Sequence, residues 1–389
     1  MKWVDKGNEL TYKARNVIEQ FDERKKIYVF GAGKLGEELR VILERYGVFT
    51  GYIDNDIEKQ KKGWRGASVT SLQDYRDRNE HGWIIVAASE KNTEQICAQL
   101  KNEDLREDED FFLQRRFMQD IFPILSFYGF DRLFVELAQI CLTERCTLKC
   151  KKCAHACFNV PNTAKDLPLE TAQKSADIFF SRFDIINEFV LIGGEPFLYK
   201  DLEKIVAYIG ERYRERMNIF SITTNGTIFP SDGLIRTFEK YDVTIRVSDY
   251  SKSIPQLKKQ YERLYKKIAG NKVDIWQTDS ESSWFDHGFG QIDRGDGTDE
   301  LIAVFDRCQT PCREIRGSKY HYCVMARSVA DNLGMDIGAN DHIDLEEVGD
   351  RNILLEFQMG FSDKGFLDMC RYCRGDEAKK YRIPAAEQI

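Results

Sequence analysis

No stretch of this chain approaches the roughly 20 consecutive apolar residues that a membrane-spanning helix needs. Its first residues, Met1-Lys-Trp-Val-Asp-Lys6, contain no apolar signal core. Basic charge is not in excess either: 57 Lys and Arg face 64 Asp and Glu, giving a formal net charge of −7 and a pI of about 5.5. These absences argue against a membrane or a nucleic-acid backbone as main partner, and for a cytoplasmic protein with small-molecule or protein substrates. Histidine is scarce, with five in 389 residues.

What is present reads as soluble and globular: 42% hydrophobic and 31% charged residues. The length exceeds one hydrophobic core, so two or three domains are expected. Eleven cysteines could form disulfides in a secreted chain, but size, the lack of a leader and the grouping of the thiols favour metal ligation in a reducing compartment. Cys141, Cys146, Cys150, Cys153 and Cys157 lie together mid-chain. Cys308, Cys312, Cys323, Cys370 and Cys373 lie near the other end, and isolated Cys97 reads as a small core residue.

After a polar helix over residues 8–24, Ile27-Tyr-Val-Phe30 is a short buried-strand run leading into Gly31-Ala-Gly33-Lys-Leu-Gly36. A helix follows, then Gly51-Tyr-Ile-Asp54-Asn-Asp56 and a further strand at Trp83-Ile-Ile-Val-Ala-Ala88. Strand, glycine turn, helix, strand and acid are the parts of a Rossmann-like unit. Gly31, Gly33 and Gly36 would let the backbone approach a phosphate, and Asp54 would accept from a ribose. The stretch resembles the nucleotide-sugar-binding modules of bacterial surface-polysaccharide enzymes; NAD and an empty scaffold are the competing readings. The module is placed at residues 1–115, followed by an apolar-periodic linking helix at 116–132.

From residue 133 strand-like and helix-like runs alternate: strands near 133–140, 188–192, 218–223, 243–247 and 273–276, helices near 170–183, 202–213, 233–240 and 254–268. Alternation predicts a parallel sheet with its chemistry at the strands' C-terminal ends. Cys146-Thr-Leu-Lys-Cys150-Lys-Lys-Cys153 follows the first strand. Three thiolates on a four-iron cluster leave one iron open to an exchangeable ligand. Zinc is the alternative and wants a fourth ligand, which Cys157 or His155 could supply; Cys150, Cys153 and Cys157 also repeat the spacing in reverse.

Gly193-Gly194-Glu195-Pro196 follows the second strand and Thr223-Thr224-Asn225-Gly226 the third, with Ser248-Asp249-Tyr250 ending the fourth. Together with the C-x3-C-x2-C spacing, these motifs resemble the radical S-adenosylmethionine (radical SAM) superfamily. The resemblance implies a central partial (β/α)6 barrel over residues 133–300. Cys146, Cys150 and Cys153 would hold a [4Fe-4S] cluster, and Gly193, Gly194, Glu195, Pro196, Thr224, Asn225 and Ser248 would bind S-adenosylmethionine. Lys152 departs from the pattern, in which an aromatic residue precedes the third cysteine and packs on the adenine. Asp249 and Tyr250 are candidates to face the substrate, and His287 beside Asp286 is a candidate proton acceptor in a polar, aromatic loop.

Cys308-x3-Cys312-x10-Cys323 and Cys370-x2-Cys373 surround an expected hairpin at residues 318–325, with a short helix at 362–369. This arrangement resembles the twitch extension of some radical SAM enzymes, a shortened SPASM extension with one auxiliary [4Fe-4S] cluster. It implies Cys312, Cys323, Cys370 and Cys373 as ligands, Cys308 competing with Cys312, and residues 301–389 as a small cysteine-rich region. Structural zinc is the other reading.

The whole reads as α/β: a Rossmann-like domain, a partial barrel and a twitch-like extension. The resemblance implies a 5′-deoxyadenosyl radical, a flavodoxin- or ferredoxin-type electron donor, and dehydrogenation of a sugar, cyclitol or nucleotide-sugar. Three alternatives stand: peptide modification, epimerisation with Cys141 or Cys157 as hydrogen donor, and a non-catalytic metal-binding nucleotide sensor.

Overall fold

The structure, a computed structural model, describes residues 9–78, 82–279, 283–290, 292–308, 310, 312–337, 341–361 and 364–389. It divides into two compact units, residues 8–134 and residues 135–389. Residues 116–132 therefore group with the first unit.

The first unit is a five-stranded parallel sheet in the order β3-β2-β1-β4-β5, built from β1 (Ile27–Phe30), β2 (Phe49–Ile53), β3 (Val69–Thr70), β4 (Trp83–Val86) and β5 (Phe111–Leu113). β1 and β4 are buried throughout, as continuous apolar runs in a sheet covered on both faces must be. Crossover helices Lys34–Arg45 and Glu90–Asn102 carry their apolar stripes inward, and half-buried Cys97 packs against this core. The expected linking helix runs from Gln114 to Gly129 but widens beyond α geometry at Phe117–Ile121 and Leu125–Gly129. Pro123, which lacks an N–H, sits between the two widened stretches.

The second unit is built on an eight-stranded sheet in the order β10-β9-β8-β7-β6-β12-β13-β14. Its first five strands in sequence are β6 (Phe134–Thr143), β7 (Ile185–Gly193), β8 (Met217–Thr224), β9 (Val243–Val247) and β10 (Ile275–Gln277). The β7–β8, β8–β9 and β9–β10 pairs are parallel. Helices Leu169–Arg182, Leu202–Tyr213, Asp232–Lys240 and Leu257–Ile268 connect them. The last begins at Leu257, three residues later than its periodicity suggests, with Pro255 just ahead of it. From there Leu257, Tyr261, Leu264 and Ile268 form its buried stripe.

A short strand β11 (Ser283–Phe285) pairs antiparallel with β15 (Arg382–Pro384). The C-terminal cysteine region does not stand apart from the expected barrel: β12 (Cys312–Arg316) lies parallel to β6, followed by β13 (Lys319–His321) and β14 (His342–Asp344), both antiparallel. The backbone groups on that edge of β6 find their partners in β12, which closes an otherwise open edge. The hairpin is thus 312–321, earlier than expected, and Met325 belongs to helix Val324–Leu333. In place of a helix over 362–369 there is a single tight turn at Asp368–Tyr372; residues 362 and 363 lie outside the described set. Among the described residues no helix is long and apolar enough to cross a membrane.

The register of β12 on β6 sets Glu314 beside Gln139, whose amide donates to the Glu314 carboxylate at 2.8 Å. Arg327, 3% exposed, pairs with both Glu314 and Glu144. Removing one partner of a buried ion pair typically costs about 3–5 kcal/mol, because the remaining charge loses its compensation. Arg327→Met is expected to destabilise the protein by about that much in urea melts of the metal-free chain; a loss under about 1 kcal/mol would contradict the assignment.

Candidate active site

The cysteine triad occupies the loop that leaves β6. Its base is fixed by Arg145, which makes a two-pronged pair with Asp166 at 2.9 and 2.7 Å. Lys152 and Ala156 adopt left-handed backbone conformations, φ 58° and 50°, which lets the loop turn tightly between its thiols. Cys146 Sγ accepts from Leu148 N at 3.4 Å and from Asn225 Nδ2 at 3.5 Å, and Cys150 Sγ accepts from Gln388 Nε2 at 3.1 Å. Cys157 Sγ donates to His155 O at 3.9 Å, and the neighbouring Cys153 and Cys157 thiols shift in opposite directions, Cys153 down and Cys157 up.

Cys146 and Cys150 are acceptors, as metal-binding thiolates are, and Cys157 donates to a carbonyl. Burial pushes the Cys146 thiol up to about 11 and Cys150 up to about 12, so loading a metal here must displace protons. Three soft thiol donors on one cavity suit an iron–sulfur cluster. Among the described residues no group of three or more His, Cys, Asp or Glu side chains is gathered as for a single metal ion.

The glycines of Gly193-Gly194-Glu195-Pro196 let the end of β7 lie directly against this loop. Gly194 N donates to Thr143 O at 2.8 Å and Glu195 N to Arg145 O at 2.9 Å. A Cβ on Gly193 would run into Thr143 O and one on Gly194 into Arg145 O. Glu195 is fully buried, and its carboxylate accepts from Thr224 Oγ1 at 2.8 Å, Asn225 N at 2.9 Å and Phe197 N at 3.1 Å. It does not line the cavity, so its acceptors join the ends of β7 and β8 rather than facing a ligand's amino group. Pro196, also buried, opens the single turn that follows.

The cavity has a volume of about 350 Å³. Around it stand Cys146, Cys150, Cys153, Gly193, Gly194, Thr224, Asn225, Ser248, Tyr250 and His287. These residues come from the ends of four strands and from β11 and its following loop. Asp249 is not among them: it is buried, accepts from Ser251 N at 2.8 Å and is hydrogen-bonded by Gln277, and so holds the turn after β9. The Asp249 assignment as a substrate-facing group is thereby corrected.

Burial lowers the His287 imidazole below its ordinary range, against the nearby Asp286 charge that raises it. The ring therefore rests neutral near pH 7, able to accept a proton. Asp286 is itself held by Arg374 at 3.1 Å and Lys152 at 3.4 Å. In place of the missing aromatic at position 152, Phe158, Trp284 and Phe285 supply the cavity's aromatic surface, with Trp284 edge-on to Tyr250 at 5.6 Å. Arg246 lies elsewhere, paired with Glu188 at 2.6 Å and stacked over Trp276 at 4.1 Å.

In the C-terminal group, burial raises Cys323, Cys370 and Cys373, and each is raised further by another thiol of the set. Cys308 and Cys373 act on Cys323, Cys373 and Cys323 on Cys370, and Cys308 on Cys373. Cys308 thus stands in the group. Cys312 lies in the strand, where its register beside Leu137 lets Sγ donate to Gln139 Oε1 at 3.1 Å. Burial raises it too, and Cys323 raises it further, so Cys308 and Cys312 both stand beside Cys323 as candidates for the first ligand place. A strand register set by distant residues is invisible in cysteine spacing.

In the first unit, a cavity of about 450 Å³ is lined by Gly31, Gly33, Lys34, Asp54 and Lys59 among others. Gly31 (φ 119°) passes close to Ala87 O, and Gly36 packs its helix against Gly31 O. Gly33 has nothing within 4 Å of a built Cβ and faces open space, as a phosphate-approaching glycine would. Asp54 accepts from Ala32 N at 2.8 Å, Asp56 N at 2.9 Å and Lys59 at 3.1 Å. Its carboxylate organises the glycine loop and does not stand free for a ribose.

Burial outweighs the three donors on Glu195 and raises it from 4.5 to about 7. Because the folded value lies above the unfolded one, its contribution to stability is present below about pH 4.5 and is lost as pH rises to about 7. Urea melts at pH 5 and pH 8 should therefore show a larger drop for wild type than for Glu195→Gln; equal drops would contradict the assignment.

Residues 140–269 match the Radical SAM superfamily. A probable GTP 3′,8-cyclase of Methanococcus aeolicus is 27% identical over 141 residues, 36% of this chain and 43% of that protein. The GTP 3′,8-cyclase of Stenotrophomonas maltophilia is 32% identical over 102 residues, 26% of this chain and 30% of that protein. The chain spans less than half the length of these curated relatives. Among solved structures, BtrN in complex with AdoMet and 2-DOIA is similar at 16% identity, covering 64% of this chain and 98% of that one with a TM-score of 0.40. S-adenosylmethionine and a [4Fe-4S] cluster are the cofactors of the matched superfamily, and the triad's donor set fits the cluster. The likeness to the radical SAM superfamily is carried by residues 140–269 of the 389.

Proposed function

We propose that this protein oxidises a secondary alcohol of a sugar, cyclitol or nucleotide-sugar to a ketone. The single observation behind this reading is that triad thiols, a neutral, half-buried imidazole and an aromatic wall line the same cavity. When bound, S-adenosylmethionine and the triad's cluster would supply a 5′-deoxyadenosyl radical for hydrogen-atom removal, and a second cluster on Cys308, Cys323, Cys370 and Cys373 would accept one electron. A flavodoxin- or ferredoxin-type protein would supply the reducing electron.

The chain's own residues orient the substrate and move the proton. Trp284, Tyr250 and Phe285 offer faces to the C–H side of a sugar-like ring. The carbinol carbon loses its hydrogen atom, His287 accepts the hydroxyl proton, and departure of the second electron leaves a carbonyl. Tyr250 is pushed above its ordinary range by burial, so it serves as a hydroxyl donor and not as a base.

The cyclases' names suggest GTP as a second substrate class. A triphosphate calls for several cationic donors. Among the described lining residues Lys152 is the one Lys or Arg, and it already pairs with Asp286. A neutral polyol fits this lining better. Separately, in the first unit, the open face of Gly33 suits the approach of a phosphate.

Two experiments test these readings. Anaerobic reconstitution should give about eight irons per chain. About half should be lost in Cys308→Ala or in the Cys146/Cys150/Cys153 triple alanine variant, and little in Cys312→Ala; iron lost through Cys312 would reverse the ligand assignment. Incubation with sugar nucleotides deuterated at the carbinol carbon should place deuterium in 5′-deoxyadenosine. His287→Gln should keep that transfer yet form ketone at least tenfold more slowly, as for loss of a general base. Undiminished ketone formation would remove His287 from the reaction.

A further inference from the structure

Residues 387–389 lie against the triad loop as a strand-like clasp. Cys150 and Gln388 form an antiparallel bridge; Lys151 N donates to Glu387 O at 2.7 Å and Ile389 N to Lys149 O at 2.9 Å. The Lys151–Glu387 ion pair, 2.6 Å, adds to the same contact. The clasp is approached through Ala386, fully buried and held at φ 55°, a conformation an alanine adopts only when its surroundings impose it.

Inside the clasp the orientation of the Gln388 amide is dictated by its neighbours. Oε1 accepts from Lys149 N at 2.8 Å, while Nε2 donates to Ala386 O at 2.7 Å and to Cys150 Sγ at 3.1 Å. Flipping the amide would set its oxygen against a carbonyl and its NH2 against an N–H, so the group facing sulfur must be a donor. Nothing in the triad's spacing requires this residue, which lies 238 positions away.

The geometry points to Gln388 as a positioning residue that sets the reduction potential of the triad's cluster. An N–H donor on a ligating sulfur stabilises the added negative charge of the reduced state and moves the couple to higher potential. Gln388 thereby favours loading of the electron on which cofactor cleavage depends. The inference rests on the triad holding the cluster.

The test is a mediator-controlled dithionite titration of the reconstituted full chain, following the reduced-cluster resonance that S-adenosylmethionine perturbs and that Cys150→Ala abolishes. Gln388→Glu keeps the acceptor for Lys149 N and removes the donor to sulfur; Gln388→Met removes both. Each should carry at least about threefold less reduced cluster at fixed poise, about 28 mV at 59 mV per decade, with Glu the larger shift. Glu387→Gln, which touches only the ion pair, should not move it.

In wild type, electron–nuclear double resonance should show an exchangeable deuteron coupled to the cluster that is absent in Gln388→Met. Iron content reports whether a variant has lost the cluster itself. Unmoved potentials in both Gln388 variants at unchanged iron, or a coupling that survives Gln388→Met, would overturn the inference. Absence of any S-adenosylmethionine-sensitive resonance in wild type would overturn the cluster reading beneath it.

Discussion

Arg327 is a full charge taken out of water, and the second unit is arranged to compensate it. Its guanidinium reaches Glu314 on β12 and Glu144 at the end of β6. Asn332, from the same helix, donates to Glu144 at 3.1 Å and to His155 O at 2.7 Å. Glu144 is raised by burial, yet Arg327 and Asn332 bring it below the ordinary carboxylate range. A buried pair of this kind adds little net stability over an apolar packing, but it is costly to break, so it fixes one arrangement. Here the arrangement holds the start of the triad loop and the helix behind Cys323 in one frame.

The same economy of polar groups runs across the strand ends. Glu195 gathers Thr224, Asn225 and Phe197; Asn225 in turn donates to Cys146 Sγ, and Ser248 N donates to Thr224 O at 2.9 Å. Buried donors and acceptors that satisfy one another hold the loops still without occupying the cavity. Catalytic constellations need such support, because small displacements at a reacting centre are costly. Thr224 and Asn225 both face the cavity and join this support, whereas Glu195 and Asp249 only hold their neighbours in place.

The first unit repeats this division on a smaller scale. Asp54 tethers the glycine loop through Ala32 N, and Gly31 and Gly36 are required where backbone passes backbone. Gly31 and Gly33 both line the cavity, and Gly33 is the one with open space before it. A carboxylate at the end of β2 shapes the loop while the loop's middle glycine meets the solvent.

The sequence by itself determined the elements and the chemistry-bearing types. Continuous apolar runs became parallel strands, the 3.6-residue stripe of Leu257–Ile268 became a buried helix face, and the cysteine and glycine motifs fell at strand ends as alternation requires. Local patterning carries this information because periodicity and turn chemistry act over a few residues. Only the tertiary structure decided which thiols and carboxylates face one another. Cys312 meets Gln139 because of the register in which β12 docks on β6. Asp249 and Asp54 turned to backbone N–H groups because a turn's unpaired donors must be satisfied. Gln388 met Cys150 through a contact that spans most of the second unit's sequence. Partners so far apart in the chain are chosen by packing, and no spacing rule encodes them.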